Sequence, residues 1–568
     1  MERKYRILVS IVLLASVLFT TCKTSETRSS EPSFKKTDKL PFAWIAGREV
    51  IIDTIWANST NDLWNESLSE FYASRDYKAA WLTNRQLNKN GEELFDVINS
   101  VWEDGLSFEA YEKSFLESKL KEYEQLSAQE KDSLFVTTKL DIAFTEVYFK
   151  LAADIENGLI SPSLVDTVWE TYPGMDDLDL YLTKAVNKEN VENALNKLKP
   201  QSEQYELLKR SYVELIEAKE SNEWPVPGYF SGKLEERDSS KQVVKIKLFL
   251  ATTGDLQSKD STYLSSQLFD SSLTKAIKAF QQRHGLEVDG VVGRATLAEM
   301  NVPVEKRLDQ IRVNLDRLRS LPDEFGDEYI AANIPEFSLE YVKHHKPVKK
   351  MNVVVGNNSH ATPVLKDTLM YLVFNPEWNV PNSIATNEIL PKVKADSTYL
   401  VRNNYEVIPY SGANKRVDWS ELSPSFFPYR IVQKPGGSNA LGMVKFIMPN
   451  RHSIYLHDTP SKQLFSKAKR NFSHGCIRLA EPIELAESIL DRQLTREEID
   501  EILSGGEPTK VVLDKQIPVH FFYQTTWVDE NGQLQFREDI YKHDRLALAQ
   551  MQKHDEQSEY KALLAENN

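Results

Sequence analysis

Two cysteines stand in the 568-residue chain, Cys22 and Cys476. Cys476 lies in the run Ser473-His474-Gly475-Cys476-Ile477-Arg478, and His457 closes an apolar stretch upstream of it. A thiol of ordinary pKa, ~8.5, is mostly protonated at neutral pH, whereas the thiolate is the nucleophile. A neighbouring imidazole can take the proton, either during attack or in a standing thiolate–imidazolium pair. Gly475 lets the backbone come close and frees the Gly475 and Cys476 amides to face a developing oxyanion, donors worth roughly 3–4 kcal/mol of barrier each. Arg478, two residues past the cysteine, shares its face on a strand and can hold a substrate carboxylate or brace the loop. His474, adjacent to the nucleophile, points to the opposite face and is given a support role; Ser473 hydrogen-bonds the turn.

These residues need a sheet to position them. Met351–Val355, Leu369–Phe374, Lys445–Met448, Ser453–His457, Lys510–Leu513, Pro518–Val528 and Leu534–Phe536 are short strand-like runs bounded by Gly, Pro, Asn and Asp. They predict a mostly antiparallel β domain. The strand returning from the loop is expected to bring Cys476 beside His457, as in a hairpin with a long connection. The stretch 379–438, with its prolines and Gly436-Gly437, reads as an insertion capping that domain.

The rest of the chain is helical in pattern. Leu94, Val97, Ile98 and Val101 recur at helical spacing, as do Ile142, Val147, Leu151 and Ile155, with stops at Asp104-Gly105-Leu106 and Gly158 to Pro162. Pro225 to Gly228 mark a linker. Leu273, Ile277 and Phe280 share a face ahead of Gly285, and Arg307 to Leu321 is an amphipathic helix. The net charge of −15 disfavours general nucleic-acid binding. Two cysteines exclude a disulfide scaffold and an all-cysteine metal site. His344 and His345 lack the carboxylate spacing of a metal site and read as an exposed loop.

At the N-terminus, Arg3, Lys4 and Arg6 precede an apolar run from Ile7 to Thr20. At ~1.5 Å per residue it makes a helix of about 21 Å, short of a ~30 Å hydrocarbon core, so it reads as an export signal. Small residues before Cys22 resemble a lipoprotein processing site, with residues 22–40 as a flexible tether. Exported thiols are usually paired, so a lone Cys476 needs a reason.

The pattern His457…Ser473-His474-Gly475-Cys476-Ile477-Arg478 resembles the signature of the L,D-transpeptidases, the YkuD-type cysteine enzymes of the bacterial cell wall. Further matching text is Thr362-Pro363, Asn375-Pro376-Glu377-Trp378-Asn379-Val380-Pro381, Gln433-Lys434-Pro435-Gly436, Leu441-Gly442 and Ile454-Tyr455-Leu456-His457-Asp458-Thr459-Pro460. Phe280-Gln281, Gly285-Leu286, Asp289-Gly290 and Gly293 are similar to the small helical peptidoglycan-binding module. The implied fold is multidomain α+β. It comprises a signal at 1–21, a helical scaffold at 41–235, the peptidoglycan-binding-like module at 242–303 and a connecting helix at 304–322. A catalytic domain at 326–545 with its capping insert and a C-terminal helix and tail at 546–568 complete it.

The resemblance implies that Cys476 attacks the diaminopimelate carbonyl of a donor stem tetrapeptide, releasing D-alanine. The amine of another stem would then resolve the thioester into a 3→3 cross-link. His457 would be base and then acid, oriented by the backbone carbonyl of Asp458; Tyr455, Trp378 and Arg478 would line the site; carbapenems would acylate Cys476. No cofactor or metal is implied. The implied partners are peptidoglycan stem peptides, the membrane through a lipid on Cys22, and other cell-wall synthases, on the periplasmic face of the envelope. Two alternatives stay open: an L,D-carboxypeptidase or amidase with water as acceptor, and a non-catalytic wall-binding protein.

Overall fold

The computed structural model describes residues 62–131, 134–165, 178–221, 224–412 and 416–566. The signal, the tether and Cys22 lie outside them. Among the described residues no helix is long and apolar enough to cross a membrane.

The N-terminal region is helical, as its periodicity predicts. Leu94, Val97 and Ile98 are the buried face of α1 (Lys89–Ser100), and Ile142, Val147, Leu151 and Ile155 that of α2 (Leu134–Asn157). Both stops hold: Gly105 and Gly158 take left-handed backbone. After α3 (Glu203–Glu220), a second core forms around α4 (Lys241–Thr252), α5 (Ser271–Arg283) and α6 (Arg294–Met300). Gln281, nearly inaccessible, ties the Asp289-Gly290 turn to this core. It donates to Asp289 Oδ1 at 2.7 Å and Val291 O at 3.0 Å, and accepts from Gly290 N at 2.8 Å.

Helix α7 (Val304–Arg319) forms where the sequence predicts an amphipathic connecting helix. Its polar residues Arg307, Asn314, Asp316, Arg317 and Arg319 are buried as well, each with a partner outside the helix. Asp316 accepts from Leu159 N and Ile160 N in the scaffold, and Asn314 exchanges bonds with Thr525. Arg317 meets Asp544 at 2.5 Å, at the start of α11 (His543–Glu566). The helix is a hub, and its charged face is buried because those charges are paired.

The β domain begins with β1 (Glu328–Asn333), β2 (Ser338–Lys343), β3 (Lys346–Gly356) and β4 (Leu365–Phe374). A separate three-stranded sheet then forms from β5 (Trp378–Asn379), β6 (Tyr405–Pro409) and β7 (Tyr429–Gln433); with α8 (Leu390–Ala395) it has its own small core. The main sheet resumes with β8 (Val444–Ile447), β9 (Leu456–His457), β10 (Asn471–Ser473), β11 (Ile477–Leu479) and β12 (Thr509–Phe522). Helices α9 (Pro482–Leu490) and α10 (Arg496–Gly505) pack on its core. The strand order is β10-β3-β11-β9-β8-β4-β12-β1-β2, and β2 pairs back onto β3, so the sheet closes on itself. Most pairs are antiparallel; β9–β11, β3–β10 and β1–β12 are parallel.

The expected hairpin between His457 and Cys476 is therefore corrected: β9 and β11 run parallel. Parallel neighbours need a crossover. Here it holds a 3₁₀ turn (Lys462–Ser466) and strand β10. The expected strand Ser453–His457 shortens to Leu456–His457, because Asn450 captures the backbone before it. Asn450 Oδ1 accepts from Ile454 N at 3.0 Å, its Nδ2 donates to Ile454 O at 2.7 Å, and Ser453 sits at φ 55°. The expected run Pro518–Val528 breaks after Phe522.

Candidate active site

The register of β9 and β11 pairs Leu456 with Ile477 and His457 with Arg478. Ile477 N donates to Tyr455 O at 3.2 Å. Residues alternate faces along a strand, so Tyr455 and His457 share one face with Cys476 and Arg478, opposite the core-facing Leu456 and Ile477. Strands ~4.8 Å apart, offset by two residues, place the backbones of His457 and Cys476 about 8 Å apart, within side-chain reach.

His457 is buried, and its Nδ1 lies 2.5 Å from Asp458 O. A carbonyl only accepts, so Nδ1 carries the hydrogen and Nε2 is left with its lone pair, the tautomer of a general base. The Asp458 carboxylate does other work. Oδ2 accepts from Met443 N at 2.8 Å, and Oδ1 accepts from Thr459 N and from Lys462 Nζ, each at 2.6 Å. Gly442 explains the Leu441-Gly442 pair: its backbone is left-handed (φ 61°), and a Cβ there would lie 2.3 Å from Asp458 Cγ.

Burial pushes the His457 pKa down to about 3, with Arg478 and Lys445 adding repulsion against its hydrogen bond to Asp458. Burial likewise pushes the Cys476 thiol up to about 11, against hydrogen bonds from the Tyr455 backbone and hydroxyl and the charge of Arg478. Burial thus favours the neutral form of both the thiol and the imidazole. The Cys476 Sγ lies 3.8 Å from Ser453 O, as a thiol donor would.

The loop that carries Cys476 is held from beneath. Ser473 Oγ donates to Cys476 O at 2.6 Å and accepts from Gly475 N at 3.1 Å. The Gly475 amide is therefore committed to the loop, contrary to its expected role as a free oxyanion donor, and the Cys476 amide has no recorded partner among the described residues. Thr362, of the Thr-Pro pair, donates to Gly475 O at 2.7 Å and accepts from Gly356 N at 2.8 Å. His474 is held by the capping insert: half-exposed, its Nε2 is 2.7 Å from Glu388 Oε1.

Trp378 lies in β5, partly buried against the insert's own core and 6.4 Å from the Tyr405 ring. No contact of it with Cys476 or His457 is recorded among the described residues. The other motif text anchors the insert's two stems. Asn439 Nδ2 donates to Pro376 O at 2.9 Å and Lys434 O at 3.0 Å, and Lys434 Nζ meets Glu377 at 2.9 Å. His344 and His345 form a tight exposed turn beside Asp327. Sequence reading passed over Asn450, Ser453 and Lys445; only the Pro449-Asn450 turn signal pointed to the first.

Residues 327–512 match the family described as the L,D-transpeptidase catalytic domain (YkuD), residues 66–211 a scaffold domain, and residues 239–300 a family described as "Putative peptidoglycan binding domain". A Haemophilus influenzae protein named "Putative L,D-transpeptidase" is 35% identical over 253 residues, 43% of this chain and 51% of that protein. The chain thus spans about half the length of that relative. The N-acetylmuramoyl-L-alanine amidase CwlM of Mycobacterium tuberculosis is 44% identical over 64 residues, 10% of this chain and 16% of that one. Among solved structures, an L,D-transpeptidase from Stackebrandtia nassauensis aligns at 14% identity and TM-score 0.20, covering 52% of this chain and 96% of that one. Residues 327–512, which hold the Cys476 loop and most of the sheet, are an L,D-transpeptidase catalytic domain of the YkuD family, carried on one chain with a peptidoglycan-binding domain.

Proposed function

We propose that the chain is a peptidoglycan L,D-transpeptidase forming 3→3 cross-links through a Cys476 thioester. The observation that carries this reading is the shared face of His457 and Cys476 on adjacent parallel strands, with Nδ1 fixed by Asp458 O. A donor stem tetrapeptide lies across that face. His457 Nε2 takes the Cys476 proton as sulfur attacks the diaminopimelate carbonyl. The Cys476 amide and the Tyr455 hydroxyl, which already points at the sulfur, receive the oxyanion. Collapse breaks the C–N bond to D-alanine, whose amine takes the proton from His457. An acceptor amine then attacks the thioester, and the proton it gives up returns to the thiolate through His457.

The capping insert gates access to this face, and its Glu388–His474 contact beside the nucleophile supports that role. Export, with a lipid on Cys22 and residence at the periplasmic face of the envelope, fits a peptidoglycan substrate, as does association with other cell-wall synthases.

Incubation of the purified chain with tetrapeptide muropeptides, read by mass spectrometry, tests the reading. Cross-linked dimers that vanish in Cys476→Ala support it. Tripeptides alone would make water the acceptor, and no change from the Cys476→Ala control would make the protein a non-catalytic wall binder.

A further inference from the structure

The register of the closed sheet carries one residue into the site that no motif marks. Lys445 on β8 pairs directly with His457 on β9, and His457 pairs with Arg478 on β11. Going outward from Lys445, the same row continues through Val373 to Lys510. One pleat along, Tyr455 is followed by Ile447, Tyr371 and Val512; Ile447 and Tyr371 are half-buried, Val512 is exposed, and Lys510 Nζ lies 3.9 Å from the Tyr371 ring centroid. The two rows form one floor, open at the Lys510 end and deepening toward Cys476.

Lys445 and Arg478 bracket the imidazole from both sides. Neither has a recorded hydrogen bond or ion pair among the described residues, and Arg478 Nε is buried without a partner. Glu377, the carboxylate that acts on Lys445, is itself paired with Lys434. Burial lowers the pKa of both cations. Two half-buried cations with no ion pair among the described residues, either side of the buried imidazole, are costly to maintain and are compensated when an anion binds between them.

Building on the transpeptidase reading, we propose that Lys445 is a substrate-positioning residue which, with Arg478, binds a carboxylate of the donor peptide beside the scissile bond. The ligand class is a peptide carrying a carboxylate within one residue of the attacked carbonyl. Two donor groups fit: the terminal D-alanine carboxylate and the free carboxylate of the diaminopimelate side chain. Docking either one balances the charge of the two cations that flank His457.

The test measures kcat and KM for tetrapeptide donor with the full chain and with Lys445→Gln and Lys445→Arg. It uses the natural donor, the donor amidated at the terminal D-alanine, and the donor amidated at the diaminopimelate side-chain carboxylate. Lys445→Gln should raise KM about tenfold with little change in kcat, and Lys445→Arg should restore it. Amidating the contacted carboxylate should cost the wild type about the same factor and cost Lys445→Gln nothing further, which also identifies the group. A wild-type KM in Lys445→Gln, or losses from mutation and amidation that simply multiply for both donors, would overturn the assignment while leaving the transpeptidase reading intact. A wild type inert toward every stem peptide would overturn both. Because Lys445 is half-exposed, unchanged thermal unfolding in both variants is expected, and the KM–kcat split separates binding from folding.

Discussion

Arg478 stands opposite His457 on the neighbouring parallel strand, on the face that carries Cys476. Burial, reinforced by the Arg478 charge, favours the neutral imidazole, and burial likewise favours the protonated thiol. Both groups are thus favoured in their neutral forms, and in the proposed mechanism the thiolate forms as His457 accepts the proton during attack.

A pH series follows. With Cys476 at about 11, its alkylation by iodoacetamide, followed by intact mass, should keep accelerating above pH 9. A rate already level between pH 6 and 8 would mean a standing ion pair instead. With His457 at about 3, the acid limb of kcat/KM should fall well below pH 6. The same burial has a stability sign. The folded pKa lies below the unfolded value of ~6.5, so the unfolded chain binds more protons in that window, and stability should decline as pH drops from about 6.5 toward 3.

Gly442 and Asp458 should prove tightly coupled. Gly442→Ala forces a left-handed alanine whose Cβ meets the Asp458 side chain. We expect a loss of about 2–3 kcal/mol in denaturant unfolding, falling to about 1 in an Asp458→Gly background, where only the backbone penalty remains. Equal losses in both backgrounds would show that the loop relaxes around the clash.

Thr362 should matter to rate more than its distance in sequence suggests. Thr362→Val strips hydrogen bonds from Gly475 O and Gly356 N, both buried. A destabilisation of about 1–3 kcal/mol is expected. The donor KM should hold while kcat drops, because the loop that carries sulfur loses its brace. Single-turnover acylation kinetics would check this.

Glu388→Gln should loosen the insert without touching the nucleophile. The charged partner of His474 is removed, so amide exchange across residues 379–438 should quicken while β9 and β11 stay protected. Exchange unchanged in the insert would mean that its laced stems, through Asn439 and Lys434, hold it alone.

Much of this was legible in the residues. The Ser-His-Gly-Cys run, the upstream histidine and the helical periodicities are local patterns, and local patterns report local structure. The β9–β11 direction was not legible, because a long connection fits either a hairpin or a crossover until the intervening strand β10 finds its partner β3. The burial of the α7 charges was not legible for a similar reason: the acid that pairs Arg317 is Asp544, far along the chain.

The sequence alone singled out Cys476 and His457 as the proposed nucleophile and base and suggested the order of the modules, since these readings depend on residue type and spacing. Only tertiary structure decided that Lys445 and Arg478 flank that histidine, that the Gly475 amide serves the loop, and that the sheet closes on itself. Each depends on which strands pair and in what register, a choice made by the packing of whole faces rather than by any segment's own preference.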